Sequence, residues 1–424
     1  VKKKVLVYGP VLSQSGYGEH ARFVLRSLRL REDEFDIHII PSTWGQTGWI
    51  VIDDEERQWI DSRINESIPH LSNKLPYDIS IQVTIPSEWE KRANINIGVT
   101  AGIETNKVSP LWLQKANMMD KVITISNHAK SGFDTIYEFQ DQQTKQIMKL
   151  SCRTPVEVAH YPEKTKANKK ISDIDLGLEY DFNYLAVAQW GPRKNLHNLI
   201  KWFVEENYDQ EVGLVIKTSL KNNSINDRIY TEQHVLQSIP KIADRKCKIY
   251  LLHGDMSENE MHSLYQHPKI KAMISLSFGE GFGLPLFEAA YSGLPIIASG
   301  WSGHCDFLYM PNHKLAKKTK LKPMFLNVDF SIGPVPEATL WKNVIEKDMM
   351  WCYPTEGSYK LRLRQMRNNY DKYYEKSQIL KKWVLDEFES NKKHSILSDM
   401  MLGEYSGDME EEIDELFNNL LGEV

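Results

Sequence analysis

The stretch that decides the fold is Ala272-Met273-Ile274-Ser275-Leu276-Ser277-Phe278-Gly279-Glu280-Gly281-Phe282-Gly283-Leu284-Pro285-Leu286-Phe287-Glu288-Ala289. Ala272 to Leu276 is a short apolar run. A glycine-rich turn follows, then a helix-compatible segment, then Gly293-Leu294-Pro295-Ile296-Ile297-Ala298. That order reads strand, glycine loop, helix, turn, strand. A glycine loop feeding a helix N-terminus presents unpaired backbone N–H groups to an anion. Glu280 lies in the loop, where a carboxylate can face a reacting centre. Glu288 lies further along the helix, where a carboxylate can accept hydrogen bonds from a pair of sugar hydroxyls. The pattern is that of a nucleotide-sugar pocket.

Outward from this core, the 424-residue chain divides into two α/β series. The first opens with the buried strand Val5-Leu6-Val7-Tyr8-Gly9 and a helix from about Gly18 to Arg29. Strands follow at Asp36–Ile40, Ile79–Val83, Ile95–Val99 and Val122–Ile125. The second series runs through Tyr184–Ala188, Gly213–Lys217, Lys248–Leu252, Ala272–Leu276 and Pro295–Ala298. Apolar strands alternating with helical segments imply parallel sheets. The polar stretch Glu163 to Asp175 between the two series reads as a linker. Two Rossmann-like domains facing a cleft are the expected architecture. The predicted divisions are 1–165, 176–376, a helical segment 377–400 and an acidic amphipathic tail 404–424. The helix Ser377–Ser390 has Ile379, Leu380, Trp383, Val384 and Phe388 as its apolar set. In the tail, Ile413, Leu416, Phe417, Leu420 and Leu421 fall at helical spacing, so this segment is expected to dock on its own body or to serve peripheral or self-association.

Composition narrows the class. No stretch approaches the roughly 20 apolar residues of a membrane span, so a cytoplasmic location is expected. Cys152, Cys247, Cys305 and Cys352 are far apart and show no zinc-ligand spacing, which argues against structural zinc and against a disulfide scaffold. The net charge is −5, but the tail from Glu404 onward carries eight acids and no base. Lys360 to Lys382 holds eight basic residues against two acidic ones. That run is read either as a solvated helix face or as a surface for phosphate or nucleic acid.

Three further constellations bear on chemistry. Ser15-Gly16-Tyr17-Gly18-Glu19-His20-Ala21 follows the first strand, and Gly16 and Gly18 let the backbone approach a phosphate or sugar. The acid that would complete a dinucleotide fingerprint is missing at the end of the second strand, which stops at Ile40-Pro41-Ser42, so a nicotinamide dehydrogenase is disfavoured. Arg193 and Lys194, in Gln189-Trp190-Gly191-Pro192-Arg193-Lys194-Asn195, sit at a strand C-terminus and suit a diphosphate. Charge builds on a leaving diphosphate in the transition state, so fixed cations there aid transfer. His253, at the end of another strand, is read as lining the base pocket through its backbone, with a core or loop role as the alternative. Paired aspartates such as Asp173 and Asp175 can hold a divalent metal, but this pair sits in the linker, and no metal is expected.

These residues resemble the retaining glycosyltransferases of family 4 (glycosyl transferases group 1). The strongest block of similarity is Leu264 to Leu308, with the E-x7-E pair Glu280 and Glu288 in its glycine frame and Ser302-Gly303-His304-Cys305-Asp306-Phe307 beyond it. The resemblance implies the GT-B fold, with a helix crossing back to the N-terminal domain. It implies that Glu288 binds the ribose hydroxyls and that Glu280 faces the donor sugar. It implies that the amides of Gly281, Phe282, Gly283 and Leu284 meet sugar or diphosphate, and that Arg193 and Lys194 neutralise the diphosphate. Gly16 and Gly18 would close over donor and acceptor. No cofactor or metal is implied beyond the nucleoside diphosphate sugar donor, with UDP preferred to GDP or ADP.

Two departures from the family stand out. Arg193 and Lys194 are adjacent, where the family often has Gly-Arg, several residues, then Lys. Thr100-Ala101-Gly102-Ile103-Glu104-Thr105 stands where many members carry a His. Glu104 either takes that His's place or is structural, and His128 is a second candidate for the role beside a plain helix-start reading. The expected activity is retaining transfer of a hexose, glucose-type by preference, to a hydroxyl acceptor. The acceptor is a glycan, small molecule, protein or hydroxymethylated DNA base. The alternatives are an epimerase or phosphorylase of sugar nucleotides, or a binding protein with the same cleft. Trp44, Trp49 and Trp89 in the N-terminal loops are candidates for stacking on a sugar or base, with core packing as the other reading.

Overall fold

The computed structural model describes residues 2–45, 47–140, 145–164, 174–221, 223–312 and 320–403. The acidic tail 404–424, Asp173 and most of the linker lie outside the described residues. The first half holds strands β1 (Lys3–Gly9), β2 (Phe35–Pro41), β3 (Ile79–Val83), β4 (Ile95–Thr100), β5 (Lys121–Thr124), β6 (Tyr137–Gln140), β7 (Ile147–Leu150) and β8 (Val156–Val158). Its helices are α1 (Gly16–Arg29), α2 (Glu55–Ser72), α3 (Pro110–Ala116) and α4 (Asn127–Gly132). The second half holds β9 (Asn183–Val187), β10 (Gly213–Lys217), β11 (Lys248–Leu252), β12 (Ile270–Ile274), β13 (Ile296–Ser299), β14 (Tyr309–Asn312), β15 (Lys320–Pro323), β16 (Leu326–Val328), β17 (Phe330–Pro334) and β18 (Met350–Pro354). Its helices are α5 (Leu196–Asn207), α6 (Ile225–Ser238), α7 (Glu258–Tyr265), α8 (Leu284–Ser292), α9 (Cys305–Leu308), α10 (Glu356–Asn368), α11 (Tyr370–Glu387) and α12 (Ser390–Leu402).

Two six-stranded sheets form, in the orders β2-β1-β3-β4-β5-β8 and β11-β10-β9-β12-β13-β16. Every pairing within them is parallel. Parallel strands are buried on both faces, which is why they read as unbroken apolar runs. Val5, Val7, Ile79, Ile81, Ile97 and Val99 are fully buried in the first sheet, and so are Leu214, Ile216, Ala272 and Ile297 in the second. In each sheet the strand order reverses beside the first strand of its series, and the loops leaving the strand C-termini there meet across the cleft.

Local chemistry starts the helices. Ser15 caps α1 by accepting from the Gly18 amide, and Glu19 in the first turn with Arg26 and Arg29 in the last complements the helix dipole. Asp54, Ser109, Ser126, Ser224 and Ser257 cap α2, α3, α4, α6 and α7 in the same way. In contrast α5 and α8 begin on Asn195 and Gly283, both left-handed and neither supplying a side-chain cap.

The C-terminal helical segment differs from the expected single helix. The helix that includes Ser377 begins earlier, at Tyr370, and ends at Glu387. It packs on α8 of the second domain, whereas α12 packs on α1 of the first. The chain crosses at the break Phe388–Glu389, where Phe388 is buried and Glu389 caps α12 by accepting from the Asn391 and Lys392 amides. Between β17 and β18 an arm not foreseen from the sequence reaches the first domain. Val344 joins the cluster of Trp112, Val108 and Leu113, and Ser109 Oγ donates to the Asn343 carbonyl at 2.8 Å.

The α10 half of the basic run Lys360–Lys382 is partnered. Lys360 pairs with Glu205 and Glu356, Arg364 with Glu206, and Arg367 donates to Asn207. These contacts fasten α10 to α5. Among the described residues no helix is long and apolar enough to cross a membrane.

Candidate active site

The glycine loop of the opening stretch sits at the interface between the two domains. Glu280 is 8% exposed. Lys194 Nζ lies 2.6 and 2.8 Å from its two carboxylate oxygens, and Arg193 Nη1 lies 3.3 Å from Oε2. Burial by itself would push the Glu280 carboxyl up, but the charges of Lys194 and Arg193 outweigh it and hold the group at about 2. Glu280 is therefore ionised at every physiological pH. Burial draws the Lys194 ammonium down despite its partner. Arg193 also reaches across the domain boundary, with Nη2 2.9 Å from Glu104 Oε1. Burial disfavours its charge, yet Glu104 and Glu280 together carry its pKa up. The two cations expected at a diphosphate are thus held between two carboxylates.

The loop that carries them is zipped by its backbone. Phe278 N donates to the Arg193 carbonyl at 2.8 Å, Arg193 Nη1 donates to the Gly279 carbonyl, and Ser302 Oγ accepts from Glu280 N at 2.9 Å. Asn195, before α5, donates to the Leu276 carbonyl.

The glycines divide their tasks differently from the expectation. A Cβ at Gly279 would stand 2.2 Å from the Glu104 carbonyl oxygen, and one at Gly281 would stand 2.6 Å from that of Ala101. Ser126 Oγ donates to the Gly281 carbonyl at 2.6 Å. These two glycines let the domains touch; Gly281 is held by the other domain. The Phe282 side chain is buried between Tyr161, Phe287 and Phe307. Gly283, with φ 89°, turns the chain into α8 and lines a small cavity with Glu280, Lys194 and Leu286. Leu284 opens α8 next to it. Gly18 is a packing residue: a Cβ there would lie 1.9 Å from the Ser13 carbonyl oxygen, whereas Gly16 faces open space.

Glu288 lies in a separate pocket. It lines a cavity of about 120 Å³ with Lys164, Met256, Glu258, Met261, Tyr265 and Tyr291. Tyr265 Oη donates to Glu288 at 2.9 Å. Burial raises the Glu288 carboxyl, against the opposing charge of Lys164. Between the two glutamates runs a cleft of about 320 Å³, lined by Gln14, Thr47 and Gly48 of the first domain. Across from them stand Val187, Ala188, Gln189, Lys217, Ser219, Lys221, Asp255 and Pro285. It shares Met256 and Met261 with the Glu288 pocket, and Val187, Ala188 and Pro285 with the Glu280 cavity. The cleft thus adjoins both the Glu288 pocket and the Glu280 cavity.

His253 is turned away from this groove. Its Nε2 lies 2.9 Å from Asp227, which also accepts from the Leu220 and Lys221 amides. The ring braces the loop after β10, and Asp255 and Met256 line the groove in its stead. His128 is buried against Trp301, and burial draws it down to about 4. Trp89 is fully buried core, Trp44 stacks on Tyr17 with ring centroids 4.1 Å apart, and Trp49 is half exposed. Asp175 accepts from the Gly177 amide. Among the described residues no group of three or more His, Cys, Asp or Glu is arranged to hold a metal ion.

Sequence reasoning missed Lys217, Lys164 and Asp306. Lys217 carried a signal, an ionisable residue ending an apolar strand at the sheet's C-terminal edge. Asp306 accepts from Asn127 N at 2.7 Å and lies 2.8 Å from His160 Nε2, clamping the domains together. Lys164 bridges Glu19 at 2.7 Å and Glu258 at 3.4 Å from the edge of the linker.

Two parallel-sheet domains around such a groove define a GT-B protein. Superposition agrees: HepE of Anabaena, crystallised with UDP-glucose, matches with a TM-score of 0.57 over 94% of this chain and 98% of that one at 12% identity. Sucrose-phosphate synthase of Thermosynechococcus elongatus matches with a TM-score of 0.55 over all of both chains at 11% identity. Residues 170–320 match the family model of glycosyl transferases group 1. Sucrose-phosphate synthase of Spinacia oleracea is 33% identical over 132 residues, which are 29% of this chain and 12% of that protein. Sucrose-phosphate synthase 1 of Arabidopsis thaliana is 31% identical over 130 residues, with the same coverage. The chain therefore spans only 12% of the length of these curated relatives.

Proposed function

We propose that the protein transfers a hexose, glucose-type, from a UDP-sugar to a hydroxyl acceptor, with retention at the anomeric carbon. The observation that carries this reading is the cleft adjoining both the Glu288 pocket and the Glu280 cavity, with the match to the family model behind it. Glu288, beside Tyr265, accepts hydrogen bonds from the ribose diol. The diphosphate lies along the groove toward the N-terminus of α8, whose uncapped amides favour an anion. The sugar is directed at Glu280. Retention rests on the family resemblance. In the front-side route the acceptor hydroxyl attacks the anomeric carbon from the face the diphosphate leaves, and the leaving phosphate oxygen takes its proton. Glu280, ionised and fixed by Lys194, positions the sugar hydroxyls; Lys194 and Arg193 disperse the growing negative charge. Glu104, held by Arg193, is placed to orient the acceptor from the other domain.

UDP is preferred as the carrier because solved neighbours of this fold hold UDP-glucose or UDP and glucose. A cytoplasmic setting suits the four free cysteines, two of them buried. On α10, Lys360 and Arg364 pair with acids of α5 and Arg367 donates to Asn207, so a glycan, small molecule or protein acceptor is favoured over DNA.

Incubation with UDP-glucose and an acceptor panel, read by product NMR, tests the reading. An α-linked product from wild type is expected. Glu280→Ala and Lys194→Ala should each lower turnover by about a thousandfold while circular dichroism stays native. Wild-type rates in both variants would sink the assignment. Release of sugar phosphate when pyrophosphate is supplied in place of acceptor, or epimerised donor without acceptor, would favour the phosphorylase or epimerase reading.

A further inference from the structure

Among the described residues that line the Glu288 cavity, Lys164 is the one with a fixed positive charge. It comes from the edge of the linker and is half-buried. Its Nζ lies 2.7 Å from Glu19 Oε1 of α1 and 3.4 Å from Glu258 Oε1 of α7. Glu19 is itself held by Arg22 at 3.1 Å and by Arg26 at 2.9 Å. One of these acids belongs to the first domain and the other to the second, so the ammonium is seated where the domains meet. Burial disfavours the Lys164 charge, yet Glu19 and Glu258 outweigh it and carry its pKa up. Lys164 is therefore a cation throughout the physiological range. The other titratable groups around Glu288 supply no such charge. They are Glu258 and Tyr265 of α7, Tyr291 of α8, Glu19 of α1, and His262 of α7, which is engaged with Gln266. Burial raises the Glu288 carboxyl; Lys164 and the Tyr265 hydroxyl draw it back, and Glu19 and Glu258 add to the rise. A buried carboxylate keeps its charge only with an opposite charge at hand. An ionised acceptor also takes hydrogen bonds from hydroxyls more strongly than a neutral one.

We propose that Lys164 is a positioning residue for donor binding: it holds the Glu288 carboxylate ionised for the ribose diol, from a seat that Glu19 and Glu258 fix across the two domains. The assignment rests on the nucleotide-sugar reading above. It gives Lys164 a task at the nucleoside end of the cleft, apart from the diphosphate and the sugar that Arg193, Lys194 and Glu280 serve. It acts through Glu288 and needs no contact of its own with the donor.

The test is the pH dependence of donor binding, read by calorimetric titration with UDP-glucose. Its diphosphate is esterified at both ends and keeps one charge state over the range used. Without the ammonium, the Glu288 carboxyl rises further, and its ionised fraction falls most at low pH. The affinity lost in Lys164→Met should therefore be about fivefold larger at pH 5.5 than at pH 8. Lys164→Arg, which keeps the charge, should restore the wild-type profile. Should Lys164→Met not fold, Lys164→Gln takes its place with the same expected profile. In a Glu288→Gln background the pH-dependent part of the loss should vanish, because the group that titrates is gone. A lysine with a merely structural role would weaken binding equally at both pH values. An equal loss at pH 5.5 and pH 8, or a Lys164→Arg profile like that of Lys164→Met, overturns the assignment while the donor reading stands. So does a pH dependence that persists in Glu288→Gln, which would belong to His262 or another group. If wild type binds no UDP-glucose at either pH, the donor reading fails and this assignment with it.

Discussion

The two glutamates illustrate how environment sets the role of a carboxylate. Glu280 is buried but flanked by cations, and its charge is locked in. Glu288 is buried with one hydroxyl donor and a more distant ammonium, and burial dominates. A folded pKa raised above the unfolded value means that the ionised form is disfavoured on folding, so this group's favourable contribution is present at low pH and lost as pH rises through its folded pKa. Glu288→Gln should therefore raise the melting temperature, by more at pH 8 than at pH 5, and weaken donor binding at least about tenfold through the lost charged acceptor. Melting curves at the two pH values with UDP titrations check both signs. A stability gain that did not grow with pH would contradict the account. The E-x7-E spacing made both residues legible in sequence; their opposite electrostatics was not, because Lys164, Lys194 and Tyr265 come from other segments.

Among the elements, the C-terminal helices show how packing overrules pattern. Of the apolar set Ile379, Leu380, Trp383, Val384 and Phe388, readable at helical spacing, Leu380, Val384 and Phe388 are buried, Trp383 is half-buried and Ile379 is exposed. The break after Glu387 was not readable, since its cause is a change of partner from α8 to α1. Leu397 and Met401 of α12 are fully buried. Leu397→Ala should cost about 2–5 kcal/mol, measured by urea unfolding, while leaving UDP affinity in the folded protein unchanged. A loss below about 0.5 kcal/mol would mean that α12 does not dock as described. The α8 start carries the converse lesson. Gly283 and Pro285 announce a helix N-terminus in sequence, and the missing side-chain cap is where a ligand is wanted.

For the molecule as a whole, the site exists only with the domains together. Arg193 joins Glu104 to Glu280, Ser126 holds Gly281, and Asn127 and His160 hold Asp306. The arm between β17 and β18 adds Thr105 to Met349 and Lys107 to Asp348. Such polar, glycine-mediated contacts are the kind that a substrate-driven closure makes and breaks. Gly281→Ala would force Ala101 and the loop apart, and Glu104→Gln would weaken the ionic tie. Both variants should show a larger radius of gyration by small-angle scattering without donor, and a turnover number reduced about tenfold or more, with native circular dichroism. Unchanged scattering and turnover in both would show that closure does not depend on these contacts.

The sequence by itself determined ten of the twelve strands of the two parallel sheets, the glycine loop with its two carboxylates and the resemblance to glycosyl transferases group 1. Those features are local: apolar periodicity, turn residues and a motif complete within seventeen positions from Ala272 to Glu288. Only the tertiary structure decided which cations face which acids, which glycines lie against the other domain, and that Lys217 lines the cleft while the His253 ring turns to Asp227. Those choices are made by contacts between segments far apart in the chain. An ionisable side chain's partner depends on distance and burial in the folded molecule, and neither is encoded in the residues beside it.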